Sequence, residues 1–420
     1  MDVLIVGGGG REHAIAKKLS ESRRVGRLRC APGNGGIAEI CECVPIKAID
    51  IDAIVSFAKK ERIGFVVVAP DDPLALGLVD RLEAAGITAF GPTKAAAEIE
   101  SSKAFSKKLM SDYGIPTADY RTFSDSDEAI DYIREKGAPI VVKADGLALG
   151  KGVSVCPDIE AAEKAVLDMM DGRVFGASGA RVVIEDMLEG PEVTVLCFTD
   201  GETVVPMPSS QDHKRAFDKN LGPNTGGMGA VSPVPAYTED IARECMEKIF
   251  IPTIRAMKQE GRTFRGVLYF GLMLTKNGPK VIEYNARFGD PEAQAVLSLL
   301  ETDLLSIFEA VCEGTLGNLD IKWTPGASCG VVLASGGYPG AYETGKKIEG
   351  IESAGRMSGT FVYHAGTCRS SGGCLTSGGR VLCVTSTGKS LGEAIKKAYA
   401  AADMIYFDGM FRRNDIGNAF

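Results

Sequence analysis

The segment at residues 281–292 reads VIEYNARFGDPE and is the most informative stretch of the chain. It begins as an apolar strand and continues into a loop rich in charged and amide groups. Because side chains alternate along a strand, Glu283, Asn285 and Arg287 point the same way if the strand persists. Carboxylate and amide oxygens suit Mg²⁺, and a neighbouring guanidinium suits phosphate oxygens. The segment therefore predicts a site for phosphoryl transfer from a nucleotide.

The composition is that of a globular chain of 420 residues, with 45% apolar and 24% charged residues. This length exceeds one ordinary core, so two to four domains are expected. The net charge of −8 argues against a nucleic-acid partner. The N-terminus does not resemble a signal peptide, and no apolar run approaches the ~18 residues of a membrane span. We therefore expect a cytoplasmic protein that binds neither nucleic acid nor membrane.

The eleven cysteines are scattered and odd in number, which indicates reduced thiols. Neither residues 41–43 nor residues 364–374 have a second ligand pair at the spacing of a zinc site, so we reject zinc. The three histidines (His13, His213 and His364) lie in glycine-rich or charged segments. For each of them a structural hydrogen bond and acid–base catalysis are equally open.

The order of apolar runs and turns predicts the main elements. The first hundred residues alternate strands and helices, which predicts a parallel sheet covered by helices. One helix is expected over residues 94–110, and a hairpin is expected across Asn277-Gly278. Residues 139–155 predict a strand–loop–strand unit that could serve as a lid. Residues 209–233 have no periodicity and predict a long functional loop.

Two glycine loops raise the question of how a nucleotide would bind. Gly7–His13 follows a strand and precedes a helix, a place where phosphate binds, but its glycines do not fit GxGxxG, so NAD is disfavoured. A tight turn and a different substrate site both stay open. Gly146–Gly152 is one residue short of a P-loop and runs into a strand, which disfavours a Walker-type NTPase. Lys143 and Lys151 could still bracket a triphosphate, with a solvated hairpin as the alternative.

Three polar segments are ambiguous when each is taken alone. The connector at 185–192 reads EDMLEGPE and could present a carboxylate to ribose, although such connectors are most often solvated. The segments at 211–215 (QDHKR) and 222–229 (GPNTGGMG) could orient an amine or a sugar phosphate. An exposed charge cluster is the simpler interpretation of both. The chain has no CxxC pair, HExxH motif or Ser/His/Asp order.

Taken together, the segments resemble the phosphoribosylamine–glycine ligase family, ATP-grasp enzymes of purine biosynthesis. The matching segments cover nearly the whole chain, and Arg287–Glu292 is the most specific. In order they are Gly9–Ala14, Ala31–Asn34, Phe90–Thr93, Ser102–Phe105, Val142–Ala148, Gln211–Arg215, Gly222–Gly229, Arg287–Glu292, Gly336–Gly340, His364–Thr367 and Gly378–Leu382.

The resemblance implies a multidomain α/β and α+β architecture with the ATP-grasp fold. It places an N-terminal parallel-sheet (Rossmann-like) substrate domain at 1–102 and a first ATP-grasp lobe, including the lid, at 103–190. The catalytic lobe would follow at 191–324, and a small β-rich C-terminal domain at 325–420. The implied reaction ligates glycine to 5-phosphoribosylamine at the expense of ATP, through glycyl phosphate. Mg²⁺ or Mn²⁺ would be the metal, and a monomer is expected.

The resemblance also implies roles for individual residues. ATP would be bound by Lys103, Lys143, Gly150, Lys151, Gly152, Glu185, Leu188 and Glu192, with Glu185 and Leu188 bordering adenine and Glu192 at the ribose. The metal would be bound by Glu283 and Asn285. Glycine and 5-phosphoribosylamine would be held by Gly9, Asp71, Asp212, Lys214, Asn224, Thr225, Gly226, Arg287 and Asp290. Of these, Arg287, Asp212 and Lys214 would be catalytic.

The chain departs from the family pattern at two positions. Asp186 stands where the family usually has a second Glu in the connector, and Asp71 stands where it usually has Glu. Two other functions stay open on the sequence. One is a different ATP-grasp carboxylate–amine ligase, and the other is a non-catalytic nucleotide or sugar-phosphate sensor. Retention of both Glu283 and Asn285 speaks against the sensor, since a sensor has less need of metal ligands.

Overall fold

The first hundred residues form a five-stranded parallel sheet in the order β3-β2-β1-β4-β5. This computed structural model describes residues 1–148, 152–172 and 176–418. Alternate residues of β1 pack into two different cores, so the sheet is covered on both faces, as predicted. The strands are β1 (Val3–Gly7), β2 (Leu28–Pro32), β3 (Glu42–Cys43), β4 (Phe65–Val68) and β5 (Thr88–Phe90); the helices are α1 (Gly10–Ser20), α2 (Ile37–Ile40), α3 (Ile51–Lys60), α4 (Asp71–Leu76) and α5 (Leu78–Glu83).

Two helices follow this sheet, so the prediction of one helix over residues 94–110 is wrong. They are α6 (Lys94–Ser101) and α7 (Lys103–Asp112). Ser102 between them is extended, and its hydroxyl accepts a hydrogen bond from the Phe105 N–H at 3.1 Å. Such an N-cap starts a new helix by satisfying a free N–H group. The break places Lys103 at the first turn of α7.

A four-stranded antiparallel sheet follows in the order β6-β9-β7-β8. Its core is shared with two helices. The predicted strand–loop–strand unit is present as β7 and β8, but Gly150 and Lys151 lie outside the described residues. The elements are β6 (Tyr120–Phe123), α8 (Ser126–Lys136), β7 (Ile140–Ala144), β8 (Val153–Cys156), α9 (Ile159–Met170) and β9 (Val182–Asp186).

The next sheet is antiparallel in the order β11-β10-β16-β17. Its hairpin crosses the predicted Asn277-Gly278 turn, and β17 carries an irregularity opposite Gly271 and Leu272. The last strand ends at Asn285, so it does not persist to Arg287. The elements are β10 (Glu192–Thr199), β11 (Val204–Pro206), β12 (Gln211–Asp212), β13 (Arg215–Phe217), β14 (Leu221–Asn224), β15 (Gly229–Ser232), α10 (Glu239–Cys245), α11 (Ile251–Gln259), β16 (Gly266–Thr275), β17 (Gly278–Asn285), α12 (Glu292–Leu297) and α13 (Leu304–Glu313).

The last sheet has the order β12-β15-β18-β22-β19, with β23 also paired to β18. It takes two of its strands from residues 209–233, where the sequence predicted only a loop. That prediction is wrong for β12 to β15, which are too short to show periodicity. Distant β18 pairs with β15, β15 pairs with β12, and β13 pairs with β14 in a separate two-stranded sheet. The remaining elements are β18 (Ala327–Ser335), α14 (Ile351–Gly355), β19 (Thr360–His364), β20 (Thr367–Ser370), β21 (Gly373–Thr376), β22 (Arg380–Gly388), α15 (Leu391–Ala402) and β23 (Met410–Phe411).

We searched the described residues for a membrane span. None of their helices combines the length and the apolarity needed to cross a bilayer.

Candidate active site

Three lysines lie together between α7, β7 and β9, and we call Lys103, Lys107, Lys143 and Glu185 the lysine cluster. The ammonium groups of Lys107 and Lys143 both pair with the Glu185 carboxylate. All three of these side chains are at most 5% exposed. Burial lowers the pKa of Lys107 to about 8, against the opposing effect of Glu185. Two ammonium groups thus share one carboxylate, so the cluster carries a net positive charge that a negatively charged ligand could neutralise.

The predicted nucleotide-binding lysines are held at the edge of this cluster by backbone groups. The Lys103 ammonium donates to the carbonyl of Gly146 at 3.1 Å, and its N–H donates to the carbonyl of Asp145 at 3.0 Å. Lys143 donates to the carbonyl of Ile282 at 3.1 Å, which joins the first lobe to β17. Lys143 therefore contacts the residue next to Glu283, and Lys103 interacts electrostatically with the Glu283 carboxylate.

Glu283 is the point where the lysine cluster meets the predicted substrate residues. Its carboxylate lies 3.4 Å from the Lys214 ammonium, which is also 3.4 Å from a carboxylate oxygen of Glu192. Burial opposes ionisation of Glu283, but Lys214, Lys143 and Lys103 together lower its pKa to about 2. The carboxylate is therefore ionised at neutral pH.

Glu283 and Asn285 fit a divalent cation by the chemistry of their oxygens. Asn285 Oδ1 accepts a long hydrogen bond of 3.3 Å from Arg287. Within residues 1–148, 152–172 and 176–418, no group of three or more His, Cys, Asp or Glu side chains is arranged to hold a metal. Mg²⁺ commonly takes one or two protein oxygens and completes its shell with water and substrate phosphates. A two-residue site suits that behaviour.

Asp212 is an electrostatic neighbour of Lys214 and Glu283. Burial raises its pKa to about 8, assisted by the nearby carboxylates of Glu292 and Glu192 and opposed by Lys214. Glu292 is also buried, and burial raises its pKa. A carboxyl group whose pKa lies near neutrality can exchange a proton during a reaction.

Arg287 is held by two acidic residues from the N-terminal region. Its guanidinium lies 2.9 Å from the Glu100 carboxylate and 3.7 Å from that of Asp71. Glu100 also accepts the N–H of Ala286 at 2.7 Å, so it fixes the backbone as well as the side chain. Burial acts to lower the pKa of Arg287, but Glu100 and Asp71 outweigh it and raise that pKa. The shorter Asp71 side chain still reaches Arg287.

The loop at Phe288–Asp290 is bonded to Arg11 in the first turn of α1. Arg11 donates its backbone N–H to Asp290 at 3.2 Å and its guanidinium to the Phe288 carbonyl at 3.0 Å. The predicted residue Gly9 donates its N–H to Glu12 at 2.5 Å. A Cβ on Gly9 would lie 3.1 Å from Asp290 Oδ2, so the two predicted substrate residues are neighbours. We call Arg11, Arg287 and Arg380, with Asp71, Glu100 and Asp290, the arginine network.

The turn at Asn224, Thr225 and Gly226 lies beside the loop after Arg287, since a Cβ on the next residue, Gly227, would lie 2.5 Å from Pro291 Cδ. The Thr225 hydroxyl and N–H are both bonded to the Lys214 carbonyl at 2.8 Å. This pairing ties the predicted substrate turn to the lysine that faces Glu283. The structure thus brings most of the predicted substrate and metal residues to one cleft.

The connector between β9 and β10 contributes in another way than expected. The Glu185 carboxylate belongs to the lysine cluster, so a contact with adenine would have to come from its backbone. Leu188 is half-buried and Glu192 is exposed. Gly152, the described part of the predicted lid motif, accepts a hydrogen bond from the Ala144 N–H at 2.8 Å.

Family models match the chain over almost its whole length. The N domain of phosphoribosylglycinamide synthetase matches residues 1–100, its ATP-grasp (A) domain matches residues 101–293, and its C domain matches residues 328–419. The chain belongs to the phosphoribosylglycinamide synthetase family.

Full-length relatives agree with this membership. A phosphoribosylamine--glycine ligase of Vibrio vulnificus (strain YJ016) is 50% identical over 420 residues, covering 99% of this chain and 98% of the relative. One from Halalkalibacterium halodurans is 49% identical over 418 residues, covering 100% and 97%. The crystal structure of the Thermotoga maritima phosphoribosylamine--glycine ligase has a TM-score of 0.87 at 32% identity, with 99% and 100% of the chains covered.

A more distant structure shows the fold alone. Biotin carboxylase from Campylobacter jejuni has a TM-score of 0.76 at 16% identity, covering 98% of this chain and 93% of that one. The predicted ATP-grasp fold, with its N-terminal parallel sheet and β-rich C-terminal region, is confirmed. This member of the synthetase family is an enzyme, an ATP-dependent ligase that forms a C–N bond between small molecules and uses a divalent metal.

Several residues of this synthetase site were missed from the sequence. Glu100 and Lys107 lie two positions outside the matching segment Ser102–Phe105, and only the folded chain brings them to Arg287 and Glu185. Glu12 and Arg380 lie inside matching segments and could have been suspected from their charge. Tyr338 likewise lies in a matching segment but has no charge to draw notice.

All three histidines have structural hydrogen bonds. The Nδ1 of His13 accepts the His364 N–H at 2.8 Å, and the Nε2 of His213 accepts the Gly417 N–H at 3.1 Å. The His364 ring is bonded to the Thr367 hydroxyl at 3.0 Å. Burial lowers the pKa of His13 to about 3 and those of His213 and His364 to about 4. The neutral rings favour the structural interpretation.

Proposed function

We propose that this synthetase joins glycine to 5-phosphoribosylamine with ATP, giving glycinamide ribonucleotide, ADP and phosphate in purine biosynthesis, and that it does so in the cleft around Glu283. The position of Glu283 carries the proposal. It is an ionised carboxylate reached by Lys103 and Lys143 on the nucleotide side and by Lys214 on the substrate side. Nucleotide and acceptor would therefore meet at this residue.

In the first step the glycine carboxylate attacks the γ-phosphorus of ATP, so that glycyl phosphate forms and ADP leaves. Lys103 and Lys143 would face the phosphate oxygens. Phosphoryl transfer depends chiefly on positioning and charge neutralisation, which such cations supply. A divalent cation held by Glu283 and Asn285 would neutralise phosphate charge when bound. We propose Mg²⁺ or Mn²⁺ as that cation.

In the second step the amine of phosphoribosylamine attacks the glycyl carbonyl, the C–O bond to phosphate breaks, and an amide forms. The amine loses one proton. Asp212 is proposed to relay it: with a pKa of about 8 its carboxyl is mostly protonated at neutral pH, so it gives its own proton to the departing phosphate as it takes the one from the amine. Lys214 would orient the acyl phosphate, and Arg287 with Asp290 would face the sugar-phosphate amine. Gly9, Asp71 and the Asn224–Gly226 turn would complete that pocket.

We further propose a cytoplasmic monomer with the four-domain division at 1–102, 103–190, 191–324 and 325–420. The eleven cysteines are free thiols, which suits a reducing compartment. Sedimentation at the mass of one chain is the expected result for the monomer. A dimer at micromolar concentration would contradict it.

The test of the proposed function is ADP release with glycine and freshly generated phosphoribosylamine. Wild type should release ADP only when both substrates are present, and L-alanine should not replace glycine. Glu283→Ala should abolish turnover while circular dichroism stays unchanged. Glu244→Ala is the matched control, because Glu244 lies on α10 and pairs with exposed Lys248. Unchanged turnover of Glu283→Ala at limiting Mg²⁺ would contradict the metal assignment.

Glycine labelled with ¹⁸O in its carboxylate tests the order of the two steps. If glycyl phosphate forms, one carboxylate oxygen remains on phosphorus when the amine displaces phosphate. The inorganic phosphate should therefore carry one ¹⁸O, which mass spectrometry detects. Unlabelled phosphate would show that the γ-phosphoryl group passes directly to water.

A further inference from the structure

The C-terminal sheet reaches into the site at the peptide groups of Gly226. The Gly226 N–H donates to the hydroxyl oxygen of Tyr338 at 3.1 Å. Its carbonyl accepts from Arg380 Nη1 at 2.6 Å. Tyr338 follows β18, and Arg380 is the first residue of β22. Both polar groups of one glycine in the predicted substrate turn are thus held by residues more than a hundred positions away.

Arg380 also holds Asp290, in the loop after Arg287. Its Nη1 donates to the Asp290 carbonyl at 2.6 Å and lies 3.3 Å from the Gly227 carbonyl. The same nitrogen is 3.5 Å from a carboxylate oxygen of Asp290. Arg380 therefore connects the Asn224–Gly227 turn to the Arg287–Glu292 loop through a single guanidinium.

The local glycines are consistent with a site built around these two side chains. A Cβ on Gly226 would lie 2.9 Å from Arg380 Cζ, and a Cβ on Gly379 would lie 2.2 Å from Tyr338 Cδ2. The second distance is shorter than any real Cβ contact, so only glycine lets the Tyr338 ring occupy this position. The Asn224–Gly227 turn is also bonded to the Lys214 carbonyl, through the Thr225 hydroxyl.

We propose that Arg380 and Tyr338 are positioning residues for the phosphoribosylamine side of the reaction. They fix the distance between the Asn224–Gly227 turn and the Asp290 loop, so that the sugar-phosphate amine binds in one orientation. Among the described residues, none of these bonds of Tyr338 and Arg380 goes to the lysine cluster. This inference rests on the proposed function for its substrate, but the two bonds to Gly226 stand without it.

Steady-state kinetics of Arg380→Met, Arg380→Lys and Tyr338→Phe test the proposal. Arg380→Met should raise the KM for phosphoribosylamine at least tenfold and leave the KM for ATP within twofold. Arg380→Lys keeps the charge near Asp290 but is shorter, so it should fall between Arg380→Met and wild type. Tyr338→Phe removes one hydroxyl and should raise the same KM by a smaller factor. Arg412→Met is the matched control, since Arg412 is 18% exposed against 21% for Arg380 and pairs with Asp403.

Hydrogen exchange of the peptide covering residues 222–232 supplies a second measurement that needs no catalysis. Exchange should be faster in Arg380→Met and Tyr338→Phe than in wild type and Arg412→Met. Equal rises in the KM for ATP and for phosphoribosylamine, or unchanged exchange, would overturn the proposal. If wild type shows no ligation at all, the proposed function fails. The hydrogen-exchange result alone then tests whether Arg380 and Tyr338 hold the Asn224–Gly227 turn. Tyr338→Phe keeps the test valid if Arg380→Met does not fold.

Discussion

The lysine cluster places ammonium groups around a buried carboxylate, whereas the arginine network places guanidinium groups against backbone carbonyls and carboxylates from three regions of the chain. Lys107 and Lys143 share Glu185; Lys107 also donates to the Thr117 hydroxyl at 2.7 Å, and Lys143 donates to the Ile282 carbonyl at 3.1 Å. Arg11, Arg287 and Arg380 each donate to a carbonyl of the Phe288–Asp290 loop or its surroundings.

The difference follows from the chemistry of the two cations. An ammonium is a compact charge on a flexible stem and can exchange a carboxylate for a phosphate. A guanidinium is a planar fork that fixes the geometry of whatever it bonds. We infer that the lysine cluster supplies charge that changes partner during the reaction, and that the arginine network supplies a fixed frame.

Replacing Lys143 should have the largest effect. Lys143→Met removes a charge that we propose faces the phosphates, and we expect kcat to fall roughly 10²- to 10³-fold, as for loss of one transition-state donor. Initial-rate assays of ADP release measure this. Lys136→Met is the control, because Lys136 lies on exposed α8 and pairs with Asp186. A fall of less than about threefold would remove Lys143 from the charge-supplying role.

Replacing Arg287 should have the next largest effect. Lysine keeps the charge but cannot bond Glu100 and the Phe288 carbonyl together, so the frame should loosen. We expect kcat/KM for phosphoribosylamine to fall roughly 10- to 100-fold in Arg287→Lys, at about 1.4 kcal/mol per decade. Arg262→Lys, which alters a pair with Glu98, should be near wild type. Full activity of Arg287→Lys would mean that charge alone suffices there.

Replacing Lys107 should have a moderate effect, on the KM for ATP and not on the KM for glycine. Lys107→Met leaves Lys143 as the sole ammonium paired with Glu185, so ATP must compete with a stronger ion pair. We expect the KM for ATP to rise about tenfold, which corresponds to a loss of about 1.4 kcal/mol in binding free energy. The KM for glycine should not change. Parallel rises of both constants would indicate a general loss of packing instead.

Acidification should lower the stability of the folded state through His13, without acting on the catalytic groups directly. The pKa of His13 is lowered from 6.5 to about 3, so the folded state favours the neutral ring. This stability is present above pH 6.5 and is lost as the pH falls from there toward 3. Thermal unfolding midpoints of wild type should therefore fall over this range more steeply than those of His13→Asn, which keeps an acceptor for the His364 N–H but does not titrate. Parallel pH profiles would contradict this assignment.

Local patterns were enough to predict much of the fold. The alternation in the first hundred residues, the hairpin at Asn277-Gly278 and the strand leading to Asn285 all depend on neighbouring residues. The break at Ser102 was missed because an N-cap serine competes with a helical pattern that continues on both sides. The strands within residues 209–233 were missed because β15 is held by β18, a hundred positions away.

The sequence by itself determined the family and predicted the residues that we propose for the phosphate and metal chemistry, because Glu283, Asn285, Arg287 and Asp290 lie in one short segment. Only the tertiary structure decided how that segment is held. Glu100 reaches Arg287 from 187 positions away, and Arg380 reaches Gly226 from 154 positions away. Such contacts follow from which strands pair and how the sheets pack, and no local pattern of charge or hydrophobicity encodes them.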